Sequence, residues 1–127
     1  MPTPARQLPR TFKTKFFAKQ ARKAAIHDAE LCRVLAEIAQ GKAVDLGGGV
    51  YKKRLSNNAY RSIVLAKSDA AWVLEFLFAK NEADNITDSA LEGFRVLASG
   101  YARLMPSQLK TLVDNGDLQE ICHDASI

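Results

Sequence analysis

The sequence predicts an α+β domain: an antiparallel sheet of about four strands, with an N-terminal helical hairpin packed on one side and further helices near the C-terminus. Three observations carry this. Strand-sized runs rich in Val, Ile, Leu and aromatics (Val50–Leu55, Tyr60–Ala66, Ala71–Lys80) are separated by the polar breaks Ser56-Asn57-Asn58 and Lys67-Ser68-Asp69, the pattern of a meander. Ahead of them, Leu31, Val34, Leu35 and Ile38 recur at helical spacing. Behind them, Leu91, Phe94, Leu97 or Ala98, Tyr101 and Leu104 do the same. A chain of 127 residues with 47% hydrophobic content is large and apolar enough for one folded domain with one modest core.

The elements follow in order. Residues 1–10, with Pro2, Pro4 and Pro9, read as a flexible arm, which leaves 11–127 as a single domain. Thr11–Phe17 alternates in part, with Phe12, Thr14 and Phe16 on one side and Lys13 and Lys15 on the other, and is compatible with a first strand. Ala18–Ile26, rich in Ala, Lys and Arg, predicts a helix. Asp28 is the expected N-cap of a second helix, Ala29 to about Gln40, and Gly41 its stop. Gly47-Gly48-Gly49 lacks the Gly-Lys-Ser/Thr ending and the following helix of a P-loop, so it reads as a flexible or bulged strand entry.

Ala71–Lys80 is apolar on both sides for most of its length, as a central strand is, with Trp72, Leu74, Phe76, Phe78 and Lys80 on one face. Thr87 and Asp88 open the third helix, and Met105-Pro106 ends it. Ser107 is the expected cap of a short helix, Gln108–Asp114, stopped by Asn115-Gly116. Leu118–Cys122 is compatible with a final strand.

Charge narrows the partners. Residues 1–67 hold 14 Lys/Arg against 4 Asp/Glu, a net of +10. Residues 68–127 hold 4 against 10, a net of −6. Such segregation predicts a basic surface for a polyanion. Cys32 and Cys122 form no zinc spacing with His27 and His123, and the expectation is two reduced cysteines in a cytoplasmic protein. No apolar run reaches the roughly 18 residues of a membrane span, and the N-terminus has no signal-peptide core, so no membrane partner is expected.

The meander carries cations where a buried strand carries apolar residues: Lys52, Lys53, Arg54, Arg61 and Lys80. By alternation, Lys52 and Arg54 share a face with Val50, Lys53 points the other way with Tyr51 and Leu55, and Arg61 shares its face with Ile63 and Leu65. Like charges on adjacent strands repel unless an anion sits among them. As a binding surface these groups neutralise phosphates, with salt-dependent affinity. As an enzyme site they stabilise charge on a reacting phosphate, and a lysine whose pKa is lowered by like-charged neighbours shuttles a proton. The stretch holds no His, and Asp45 and Glu75 are its carboxylates before the exit turn, which argues against a histidine-based or two-metal nuclease. No metal or cofactor is expected. Glu82 and Asp84 in the exit turn read as structural, and Asn85 as an Asx-type turn residue.

The order helix, helix, cationic meander and then Phe78-Ala79-Lys80-Asn81-Glu82-Ala83-Asp84-Asn85-Ile86 resembles the RelE/ParE superfamily of bacterial toxins, nearest to a RelE/HigB-like branch. An opening like Phe12-Lys13-Thr14-Lys15-Phe16-Phe17-Ala18-Lys19 and a segment like Asp45-Leu46-Gly47-Gly48-Gly49-Val50-Tyr51-Lys52-Lys53-Arg54 recur there in the same order. The likeness covers about residues 11–121.

The resemblance implies a type II toxin that cuts mRNA, usually on the ribosome, without metal. In such a reaction the 2′-hydroxyl attacks the adjacent phosphate and leaves a cyclic phosphate and a 5′-hydroxyl. It implies Lys52 or Lys53 as base or positioner, Arg54 and Arg61 on the scissile phosphate, and Lys80 on the leaving side. Lys13, Lys15, Lys19, Arg22 and Lys23, from an N-terminal segment without acids up to His27, are the expected RNA contacts. Some relatives carry a Tyr near the exit turn. This chain has none there, which leaves the general acid unassigned. The implied partners are mRNA, the ribosome and a cognate antitoxin, a DNA-binding helix-turn-helix protein that covers the basic face. The superfamily also includes toxins that inhibit gyrase and cut no RNA. A non-enzymatic gyrase-binding toxin and a plain nucleic-acid-binding module are therefore the alternatives.

Overall fold

Thr14 ends the first strand and starts the first helix, its hydroxyl accepting the Phe17 N–H at 2.9 Å. A computed structural model describes residues 10–55, 58–68, 71–81 and 86–122, and sets the elements as β1 (Arg10–Thr14), α1 (Lys15–Lys23), α2 (Asp28–Ala39), β2 (Val44–Asp45), β3 (Val50–Leu55), β4 (Tyr60–Ser68), β5 (Ala71–Ala79), α3 (Asp88–Ala102), α4 (Pro106–Asp114) and β6 (Leu118–Ile121). The expected arm loses Arg10 to β1, where its guanidinium grips Glu120 of β6 through two bonds of 2.7 and 2.8 Å. The exit-turn residues Glu82, Asp84 and Asn85 and the arm residues 1–9 lie outside the described residues.

The α+β class holds, but the sheet has six strands rather than about four, in the order β2-β3-β4-β5-β1-β6. Nor is it antiparallel throughout. The chain leaves β1, crosses by α1 and α2 to the far edge, and returns through the β3–β4–β5 meander, so β5 arrives parallel to β1. β2 pairs through only Val44 and Asp45, too short a run to leave a period in the sequence.

Helices cover both faces. On one, Phe17, Ala21 and Ile26 of the α1 segment and Leu31, Val34, Leu35 and Ile38 of α2 bury against Leu55, Val64, Leu74 and Leu77. The four predicted α2 residues are all buried. α1 lies on β5 and β1, and α2 on β3, so the expected helical hairpin is two helices joined through the core beneath them. On the other face, Ala98 of α3 and Leu109 of α4 close over Phe12, Val50, Ile63, Leu65 and Val73. Thr87 caps α3 as expected, accepting the Ala90 N–H at 3.1 Å. α4 starts at Pro106 rather than after Ser107, because Gln108 reaches back to the Met105 N–H at 2.8 Å.

Two local devices shape the site. β5 carries a bulge opposite Ile63/Val64, which splits the face predicted for it. Trp72 and Leu74 turn to the α1/α2 side, whereas Phe76 and Phe78 turn to the α3 side. Beyond Leu74, β5 has lost β1 as a neighbour, and Gln20 of α1 takes its place. The Gln20 amide donates to Leu77 O at 2.8 Å and accepts from Leu77 N at 3.0 Å, satisfying a strand edge with one side chain.

The cysteine expectation is corrected. Cys32 of α2 and Cys122, just past β6, form a disulfide across 90 residues of sequence. Spacing in sequence held no sign of it, because the contact exists only once α2 lies over the sheet. Among the described residues no helix is long and apolar enough to cross a membrane.

Candidate functional site

The cations of the meander sort by face. Strand register sets Arg54 of β3 directly opposite Arg61 of β4, and Lys52 opposite Ile63 one row back. On the far side of β4, Arg61 is opposite Phe78 and Ile63 opposite Phe76. Lys52, Arg54 and Arg61 therefore belong to the face that α3 covers in part: alternation predicted the shared face of Lys52 and Arg54, and the β3–β4 register adds Arg61 to it. Lys80 follows β5 at the same end of the sheet. Its backbone N–H bonds Ala59 O at 2.9 Å, and the residue is exposed.

Arg61 is buried, with only 7% of the residue exposed. Its Nη1 donates to Asn58 O at 3.0 Å and to Tyr60 O at 3.3 Å. Carbonyl dipoles satisfy protons without cancelling charge, so the guanidinium is held in place and keeps its field. Arg54 is exposed at the open edge of β3, where it also borders a groove with Glu30, Arg33 and Glu37 of α2. Among the described residues no carboxylate pairs with Arg54 or Arg61. Opposed arginines without an acid form a ready site for an anion.

Lys53 is not part of this group. It points to the opposite face, where its ammonium lies 2.9 Å from Glu37 of α2 and its side chain is 14% exposed. That ion pair and its hydrogen bond hold the Glu37 carboxyl below the usual glutamate range. Lys13 is likewise engaged, 2.8 Å from Asp28. The α1 cations Lys15, Lys19, Arg22 and Lys23 are exposed, and the last three divide between two grooves. Arg22 borders one with Lys13, His27 and Asp28. Lys19 and Lys23 border another, of about 350 Å³, with Phe16, Tyr60 and Phe78.

The glycine segment is a tight turn. Gly47, Gly48 and Gly49 all have positive φ and turn the chain tightly from β2 into β3. Arg95 of α3 clamps the loop by donating to Leu46 O and Gly47 O, while its stem packs on Gly48, where a Cβ would stand 2.7 Å from Arg95 Cγ. Sequence reasoning missed this clamp. The α3 face also holds Glu75, which accepts from the Tyr101 hydroxyl at 3.2 Å. Burial pushes the Glu75 carboxyl above the usual glutamate range, partly offset by that hydrogen bond. Burial, and then the neighbouring carboxylate, pushes the Tyr101 hydroxyl up as well.

Reasoning from sequence also missed the aromatic continuation of the cationic row. Phe16 was expected on the first strand beside Phe12. It opens α1 instead, stacked on Phe76 with ring centres 6.0 Å apart. The signal was present in Phe16-Phe17. Neighbours in a helix point about 100° apart, so one of the two had to leave the core.

Comparison with known proteins gives one match. No curated protein and no solved structure matches the chain significantly. The family model described as RelE toxin of RelE / RelB toxin-antitoxin system matches residues 9–121. That span runs from the start of β1 to the end of β6 and takes in every described element. The chain belongs to the RelE toxin family and is the toxin of a toxin–antitoxin system, the kind of protein that pairs with an antitoxin.

Proposed function

We propose that this toxin is a metal-independent endoribonuclease that cuts mRNA, usually on the ribosome, in the cytoplasm. The observation that carries the reading is the pair Arg54 and Arg61, directly opposed on neighbouring strands and, among the described residues, not paired with a carboxylate. The substrate's 2′-oxygen forms a bond to the adjacent phosphorus, and the bond from phosphorus to the 5′-oxygen breaks. The 2′-hydroxyl loses a proton and the departing 5′-oxygen gains one. Products are a 2′,3′-cyclic phosphate and a 5′-hydroxyl.

Negative charge grows on the phosphate oxygens as the bond forms. Arg61, fixed by two backbone carbonyls, and Arg54 offer planar forks to those oxygens before the reaction starts, so little reorganisation is needed. Lys52 is the base or positioner in this reading, because it shares the face of Arg54 and Arg61 whereas Lys53 faces α2. Lys80 supports the leaving side from the same end of the sheet. A cognate antitoxin of the helix-turn-helix class covers the basic face.

The test is induced expression with primer-extension mapping of cellular mRNA. Cuts within translated codons, with 2′,3′-cyclic phosphate ends, support the reading. Intact mRNA with DNA damage contradicts it and points to a gyrase-binding toxin instead.

A further inference from the structure

We infer that Phe16, backed by Phe76, is a stacking platform for a nucleobase of single-stranded RNA next to the Arg54–Arg61 phosphate row, with Lys19 and Lys23 neutralising the phosphates that flank that base. The inference rests on the ribonuclease reading above and adds a subsite to it.

The register puts cation and aromatic in one line. Arg54 is opposite Arg61, and Arg61 is opposite Phe78. Phe78 stacks with Phe76 at 5.9 Å, and Phe76 with Phe16 at 6.0 Å and 13° between planes. The line thus runs from phosphate-gripping groups on β3 and β4, through two buried or half-buried rings of β5, to a ring on α1. Phe17 beside it is fully buried, whereas Phe16 is 55% exposed. With one face held by Phe76, the ring is ordered and its other face is open. A base stacks on such a ring without hydrogen-bond readout, so the subsite takes any base.

Charge and rigidity fit the same occupant. Lys19 and Lys23 follow Phe16 at i+3 and i+7, on the same stripe of α1, and border the groove of about 350 Å³ that Phe16, Tyr60 and Phe78 line. The two Gln20 bonds to Leu77 lock α1 to β5, so the platform keeps its distance from the arginines. Acidic protein surface would satisfy the lysines but leave the open ring without a flat partner. Single-stranded RNA supplies both charge and flat rings.

The experiment measures binding of a short, fluorescein-labelled 2′-O-methyl RNA, which lacks the attacking hydroxyl, to the full chain across a salt series. A matched abasic oligonucleotide of the same backbone length serves as the base-free probe. Phe16→Ala should weaken binding of the RNA roughly 5- to 150-fold, the range of one lost stack, and leave the salt slope unchanged. It should bind the abasic oligonucleotide as the unaltered protein does. Phe16→Trp should restore affinity, with indole fluorescence quenched on binding. Arg54→Ala should instead flatten the slope by about 0.7. If Phe16→Ala binds RNA normally while Arg54→Ala is weakened, or if Phe16→Ala weakens both probes equally, the stacking subsite is overturned and the phosphate site stands. If the unaltered protein binds neither probe at low salt, both readings fall.

Discussion

The two faces of the sheet treat their cations in opposite ways. Under α1 and α2, Lys13 lies on Asp28 and Lys53 on Glu37, both with side chains mostly removed from water, and a disulfide ties α2 to the end of β6. On the α3 side, Arg54 and Arg61 oppose each other and pair with no carboxylate among the described residues, beside a row of phenyl rings. β3 alone supplies cations to both faces by alternation, Lys53 to one and Lys52 and Arg54 to the other. The difference lies in what each helix supplies: α2 offers acids at the right turns, while α3 brings Phe94 and Arg95, the latter committed to the glycine loop. A face with its charges cancelled serves stability. The face left uncancelled is where a phosphate gains most.

Perturbing the two faces should therefore give different losses. The largest expected effect is Arg61→Ala, which removes a preorganised cation and should lower RNA cleavage about 10²- to 10³-fold. Because Arg61 is buried, part of any loss of yield will be folding. Arg54→Ala, at an exposed position, should show a smaller drop with an unchanged circular dichroism spectrum. Next, on the opposite face, Cys32→Ser should reduce stability by about 2–4 kcal/mol in urea unfolding and leave cleavage per folded molecule unchanged. Arg95→Ala should cost about 1–3 kcal/mol, because two carbonyls of the glycine turn lose a charged donor.

The smallest effect is a pH dependence. Glu75 has a folded-state pKa above its unfolded value, so the folded protein holds the proton more tightly. Its contribution is most favourable below the ordinary glutamate pKa and is lost as pH rises through the raised value. Unfolding midpoints across that window should fall with rising pH, and Glu75→Gln should flatten the curve.

Much of this was legible in the sequence. The buried face of α2, the central place of β5 and the face shared by Lys52 and Arg54 follow from period and alternation, and the Thr87 cap from its hydroxyl; setting Arg61 beside Lys52 and Arg54 needed the β3–β4 register. What stayed hidden depends on approach in space. The parallel β1–β5 pairing needs the α1–α2 crossover, and the Cys32–Cys122 bond needs α2 docked on the sheet. The β5 bulge reverses the alternation at Glu75, between Leu74 opposite Val64 and Phe76 opposite Ile63, and a single glutamate in a strand otherwise apolar on both sides does not by itself announce a bulge. The Arg95 clamp stayed hidden because its partners are backbone carbonyls, which carry no sequence signal.

The central claim is that the α3 side of the sheet carries the toxic activity and the α2 side does not. The most direct measurement is growth after induction of two double variants, Arg54→Ala with Arg61→Ala and Lys13→Ala with Lys53→Ala, with folding of each checked by circular dichroism. Each removes two cations from one face, so the change in net charge is the same. The account predicts that cells expressing the first variant grow and cells expressing the second stop. A folded first variant that still arrests growth as the unaltered toxin does would contradict it.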